Sequence, residues 1–135
     1  PEHGDEYPAL VSDVDEDCNE TGGIRLPDLT VPLATYTGWN LRHPDNGNPG
    51  LVIGITGGLA GWTLPFAVTK GQREAAEDPR MSIEERYESR DDYLQQALKA
   101  ATQLVEDGYM LEEDIEGTQE KAAAKYDYWT NGHKS

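Results

Sequence analysis

Apolar and polar positions alternate differently in the two halves of the chain. In the last third, Leu94, Ala97, Leu98, Ala101, Leu104 and Val105 recur at three- and four-residue intervals, the stripe of an amphipathic helix, and Gly108 supplies its stop. Ser89 followed by Asp92 places a cap at its start, so the longest helix is expected over 89–107. Two shorter helices are announced upstream. Thr69 with Gln72 and Ser82 with Glu85 fit the capping box, in which the hydroxyl and the side chain three residues on satisfy free backbone donors reciprocally, and Asp78-Pro79 separates the two. A final helix is expected from about Leu111 to Tyr126, with Ile115, Ala122 and Tyr126 on one side and acids at its start, where the helix dipole favours them. No heptad seam or internal repeat is present.

The first 68 residues carry no comparable period. Tyr7 to Val11 reads as a short strand or extended arm, and no charged residue occurs between Asn46 and Thr69. Within that stretch, Leu51 to Val68 approaches the length of a membrane span, but Gly54, Gly57, Gly58, Gly61 and Pro65 make it a poor helix. Short β-branched runs broken by Gly-Gly and Trp-Thr fit strand and turn buried against another surface. The expected architecture is an α+β fragment with a loop-rich N-terminal half of short strands and a helical C-terminal half. Its parts are an acidic arm (1–20), a strand and loop segment (21–68) and a helical segment (69–135), forming one structural unit.

Charge sharpens this division. Residues 1–20 hold eight acids and no Lys or Arg, residues 21–68 hold two of each, and residues 69–135 hold sixteen acids against nine bases. The net charge of -15 repels a nucleic-acid backbone and an anionic membrane, which rules out nucleic acid as a partner. The first block should repel itself and lie at the periphery. With five lysines, the acid-rich balance resembles proteins of high-salt environments and fits an ordinary acidic protein equally. The single cysteine, Cys18, cannot close an intramolecular disulfide. The chain begins with Pro1, and no leader pattern opens it, so it is expected to be a piece of something longer, with its compartment unassigned.

Catalytic chemistry is sparse. A serine hydrolase of the α/β type carries its nucleophile in G-x-S-x-G, and Ser12, Ser82, Ser89 and Ser135 have no such setting; two of them are helix caps. His3 and His133 lie near the ends, His43 lies in HPDNGNPG, and none has a clustered partner. Cys18 sits among carboxylates, which disfavour its thiolate. Asp13, Asp15 and Asp17 match the first ligand positions of a calcium loop, but Cys18 stands where the turn wants glycine and Ile24 where a bidentate glutamate is needed. A solvated acidic turn is expected instead, with no metal and no cofactor. In VPLATYTGWNLRHP an extended chain places Tyr36 and Arg42 on one face and Trp39 on the other, aromatics that anchor a loop to a core or rim a pocket.

The stretches GIRLPDLTVPLATYTGWNLR, LPFAVTKGQR and EDPRMSIEERYESRDDYLQQALKAATQLVEDGYMLEED, in this order, resemble the C-terminal part of bacterial and archaeal α/β-hydrolase-domain proteins. The likeness spans most of residues 7–126. It implies a longer parent, probed most directly by the sequence preceding Pro1, in which an upstream catalytic portion carries the nucleophile elbow and histidine. This segment would then be a non-catalytic part of a carboxylic ester hydrolase that packs on a core outside the chain and shapes its pocket. Tyr36, Trp39, Asn40, Arg42, Phe66, Arg80, Glu85, Arg86 and Tyr87 match the family's motif positions, as do Gly38 and Pro65, with no catalytic role implied for any. Arg42 and Arg86 are expected to be held by carboxylates or carbonyls and to act structurally. The alternative is a free-standing interaction module, binding calcium through the acidic arm or presenting 51–68 to a partner.

Overall fold

The computed structural model describes residues 12–38, 45 and 61–131. In chain order they form α1 (Pro27–Thr30), β1 (Ala34–Thr37), β2 (Trp62–Pro65), α2 (Lys70–Ala75), α3 (Ile83–Arg86), α4 (Arg90–Glu106) and α5 (Asp114–Thr130). The molecule is therefore α+β, with five helices and a two-stranded sheet among the described residues and a helical second half.

The helix signals act as their chemistry requires. Gln72 N–H reaches Thr69 Oγ1 at 3.2 Å while Thr69 N–H reaches Gln72 Oε1 at 3.2 Å, completing the box at α2. At α4, Ser89 Oγ accepts from Asp92 N–H at 3.1 Å. Gly108, at φ +78°, closes α4 as a Schellman turn: its own N–H bonds Val105 O and the N–H of Tyr109 bonds Leu104 O, at 3.0 and 2.8 Å. α5 begins at Asp114 and runs four residues beyond the expected Tyr126, because no Gly or Pro stands between Tyr126 and Asn131.

α4 and α5 pack as an antiparallel hairpin, pinned by Arg90 at the start of α4 and Asp127 in the last turn of α5, at 2.7 and 2.9 Å. The buried stripe of α4 is Tyr93, Ala97, Ala101 and Leu104, and Leu98 stays exposed. Alanines at the contact let the helix axes approach, so the stripe follows the small residues rather than every apolar one. The core joins Val31, Leu33, Phe66, Ile83, Tyr87, Tyr93, Ala97 and Ala122. Tyr93 bridges Tyr87 and Tyr126 with ring centroids 5.0 and 5.2 Å away.

β1 and β2 are antiparallel, Ala34 opposite Pro65 and Thr37 opposite Trp62. Gly61 is required where β2 begins, since a Cβ there would stand 2.0 Å from Thr37 O. The outer edge of β1 is closed by a side chain: Asn19 Nδ2 donates to Ala34 O at 3.1 Å and Asn19 Oδ1 accepts from Tyr36 N–H at 2.7 Å. The amide thus replaces a neighbouring strand, and Asn19 is fully buried.

The segment before Val68 forms a strand as expected; all four residues of β2 are left exposed by the other described residues, and Phe66, beyond its end, enters the core. Residues 12–20 stay mostly exposed, but Asp15 and Asp17 meet arginines rather than each other and Asn19 is buried. The strand or arm expected at Tyr7–Val11 and the run 51–60 lie outside the described residues.

Candidate functional site

The D-P-R-x-S-I-x-E-R-Y stretch folds into a fastener between β2, α2, α3 and the acidic turn. Its centre is Phe66, whose ring carries two guanidinium groups over it, Arg86 with its carbon 4.2 Å and Arg80 5.2 Å from the centroid. Arg80 is fixed by Asp78, two residues away, through bonds of 3.0 and 2.6 Å, and its remaining Nη1 donates to Thr35 Oγ1 and Leu64 O, both at 2.9 Å. It therefore clips both strands of the sheet to the loop before α3. The side-chain bond to Arg80 holds the Asp78 carboxyl below its ordinary value, against a smaller opposing effect of burial.

Arg86 reaches 69 residues back along the sequence. Both its terminal nitrogens bond the Asp17 carboxylate, Nη1 to Oδ2 at 2.7 Å and Nη2 to Oδ1, and Nε donates to Met81 O at 2.9 Å. The two side chains are only 15% and 13% exposed, so solvent screens the pair little. Asp17 in turn offers its backbone carbonyl to the Thr35 hydroxyl.

Glu85 collects a third arginine. Arg73 Nε and Nη2 donate to its two oxygens at 2.7 and 3.2 Å, and Ser82 N–H and Oγ both donate to Oε2 at 3.0 and 2.8 Å. The Arg73 bond above all, then the Ser82 bonds, pull the Glu85 carboxyl down to about 2. Ile83 is buried in the core, and Tyr87 donates its hydroxyl to Pro32 O at 2.8 Å, its pKa pushed up by burial.

The acidic turn is ordered by its own backbone. Asp15 Oδ1 accepts the N–H groups of Asp17 and Asn19 at 3.0 and 2.9 Å, and Asp15 Oδ2 accepts Arg25 Nη2 at 2.6 Å. Burial raises the Asp15 pKa, but the Asn19, Arg25 and Asp17 donors together outweigh it and the net shift is downward. Cys18 occupies the turn's left-handed position at φ +61°, where glycine is the favoured residue. Among the described residues no group of three or more metal-ligating side chains stands together, and the carboxylates of Asp15 and Asp17 are engaged by arginines.

Of the candidate residues, Phe66, Arg80 and Arg86 form one stack, with Glu85 and Tyr87 fastening it to α2 and the core. Tyr36 stands apart on β1, lining a groove of about 450 Å³ against α5 with Thr63, Ala124, Lys125, Tyr128 and Trp129. Trp39, Asn40 and Arg42 lie outside the described residues. Sequence reading missed Thr35, Arg73, Asp78 and the two aspartates as partners. Asp78 and Arg80 carried a local signal in their spacing, whereas nothing in one sequence links Asp17 to Arg86.

The family described as Alpha/beta hydrolase domain matches residues 4–120, and the chain belongs to it. No curated protein and no solved structure matches the chain. Among the described residues no helix is long and apolar enough to cross a membrane.

Proposed function

We propose that this chain is a non-catalytic segment of an α/β-hydrolase-like carboxylic ester hydrolase, packing against the enzyme's catalytic portion and helping to shape its pocket. One observation carries the reading: the described polar residues of the D-P-R-x-S-I-x-E-R-Y motif are consumed by structure. Arg80, Glu85 and Arg86 each spend their charge on an opposite charge within the chain, Ser82 gives its hydroxyl to Glu85, and Tyr87 gives its own to a backbone carbonyl. None is left as a free nucleophile, base or oxyanion donor. The sequence supplies no G-x-S-x-G to take that role. The exposed apolar side chains of β2, Trp62 and Leu64, favour a covering partner, which in this reading is the hydrolase core.

The test has two arms. The coding sequence preceding Pro1 is read for G-x-S-x-G followed by a histidine, and the longer polypeptide is assayed with 4-nitrophenyl esters beside the 135-residue chain. Turnover by the longer polypeptide alone is expected. Ester hydrolysis by the 135 residues themselves, or an inactive longer polypeptide without the motif, overturns the proposal.

A further inference from the structure

The groove between the sheet and α5 is lined by Tyr36, Thr63, Ala124, Lys125, Tyr128 and Trp129, at about 450 Å³ within the size range of small-molecule sites. Three of the six are aromatic, and they come from two elements far apart in sequence, β1 and the last turns of α5. The lining's cation carries no free charge: Lys125 Nζ bonds Asp28 Oδ1 at 2.5 Å and rests 6.0 Å from the Tyr36 ring centroid. The groove is thus a neutral aromatic surface on a chain of net charge -15. An anion approaching it meets the repulsion of the whole molecule, and among the described lining residues the one cation is already paired, while a neutral ring gains stacking and burial. Burial, and then the Asp28 carboxylate, push the Tyr36 phenol up to about 12, so it too remains uncharged at working pH.

From this we infer that the groove is a binding subsite for the aryl group of a neutral aromatic ester. The inference rests on the hydrolase reading above and names its substrate class: an uncharged ester of an aromatic acid is taken up, and the aromatic carboxylate formed when water cleaves its acyl C–O bond, releasing the alcohol, is not retained. Aromatic walls select flat rings over branched aliphatic groups by offset stacking, and the absent net charge selects ester over acid.

The experiment is a chemical-shift titration of the 135-residue chain at low salt with methyl benzoate and, separately, benzoate. Methyl benzoate is expected to move the amides of Ala124, Tyr128 and Trp129 and the Trp129 indole saturably, with benzoate at least tenfold weaker. Ala124→Trp, at an exposed position, fills the groove and should abolish the shifts while circular dichroism is unchanged; Tyr128→Ala, also exposed, removes one wall and should weaken binding several-fold. The inference is overturned by no saturable shift, by shifts confined elsewhere, by equal binding of benzoate, or by binding that survives both variants. Turnover by the longer polypeptide with no binding here refutes the subsite alone, and binding here without turnover there refutes the enzymatic reading alone.

Discussion

Replacing Arg86 with alanine removes a two-pronged partner from Asp17, a bond from Met81 O and the cation from one face of Phe66. Breaking a buried ion pair by deleting one partner costs about 3–5 kcal/mol, because a desolvated charge is stranded. The slight remaining exposure of both side chains, 15% and 13%, lowers this to roughly 2–4 kcal/mol. For a chain of this length the melting temperature should fall by roughly 6–15 °C. Arg86→Lys keeps the charge but not the planar fork and should recover only part of the loss. The decisive assay is a double-mutant cycle by chemical denaturation with Arg86→Ala, Asp17→Ala and both. A coupling of at least about 1 kcal/mol is expected, since the double variant strands neither charge. Losses that add to within about 0.5 kcal/mol would mean that the two side chains act independently and that the fastener is not what holds the acidic turn.

Three other outcomes follow from local geometry. Cys18→Gly relieves a left-handed backbone at φ +61° and should stabilise by about 0.5–1 kcal/mol after the entropic cost of glycine; a lower melting temperature contradicts the turn described. Gly61→Ala puts a methyl against Thr37 O, which a Cβ would approach to 2.0 Å, and should cost about 1–3 kcal/mol; an unchanged denaturation midpoint counts against the strand pairing. Glu85 titrates near 4.5 when unfolded and about 2 when folded, so its contribution is present above pH 4.5 and lost as pH falls toward 2. Asp15 and Asp78, also lowered, add to the same acid loss, and Glu85→Gln should flatten the decline in melting temperature over that window; an identical slope would refute the assignment.

The local part of this molecule was legible from residue order alone. Caps act over three residues and a helix stripe over four, so Thr69, Ser82, Ser89 and Gly108 announced α2, α3 and the bounds of α4 without any knowledge of tertiary contacts. Arg80 and Arg86 stood out in the sequence as residues to watch, and the fold gives Arg86 the Asp17 carboxylate and Met81 O as partners. What sequence alone could not supply was the partner: read in order, Asp15 and Asp17 are neighbours in a self-repelling run, and only folding brings Arg25 and Arg86 against them at 2.6 and 2.7 Å. The same holds for Asn19, a polar residue in an acidic stretch that becomes fully buried because the edge of β1 needs one donor and one acceptor at that spacing. What covers β2 was not legible either, since an apolar strand reads the same whatever packs on it, and burial belongs to the assembled molecule. Short-range hydrogen bonding and helical periodicity are properties of a segment; charge pairing, edge closure and burial are properties of what the fold places beside it.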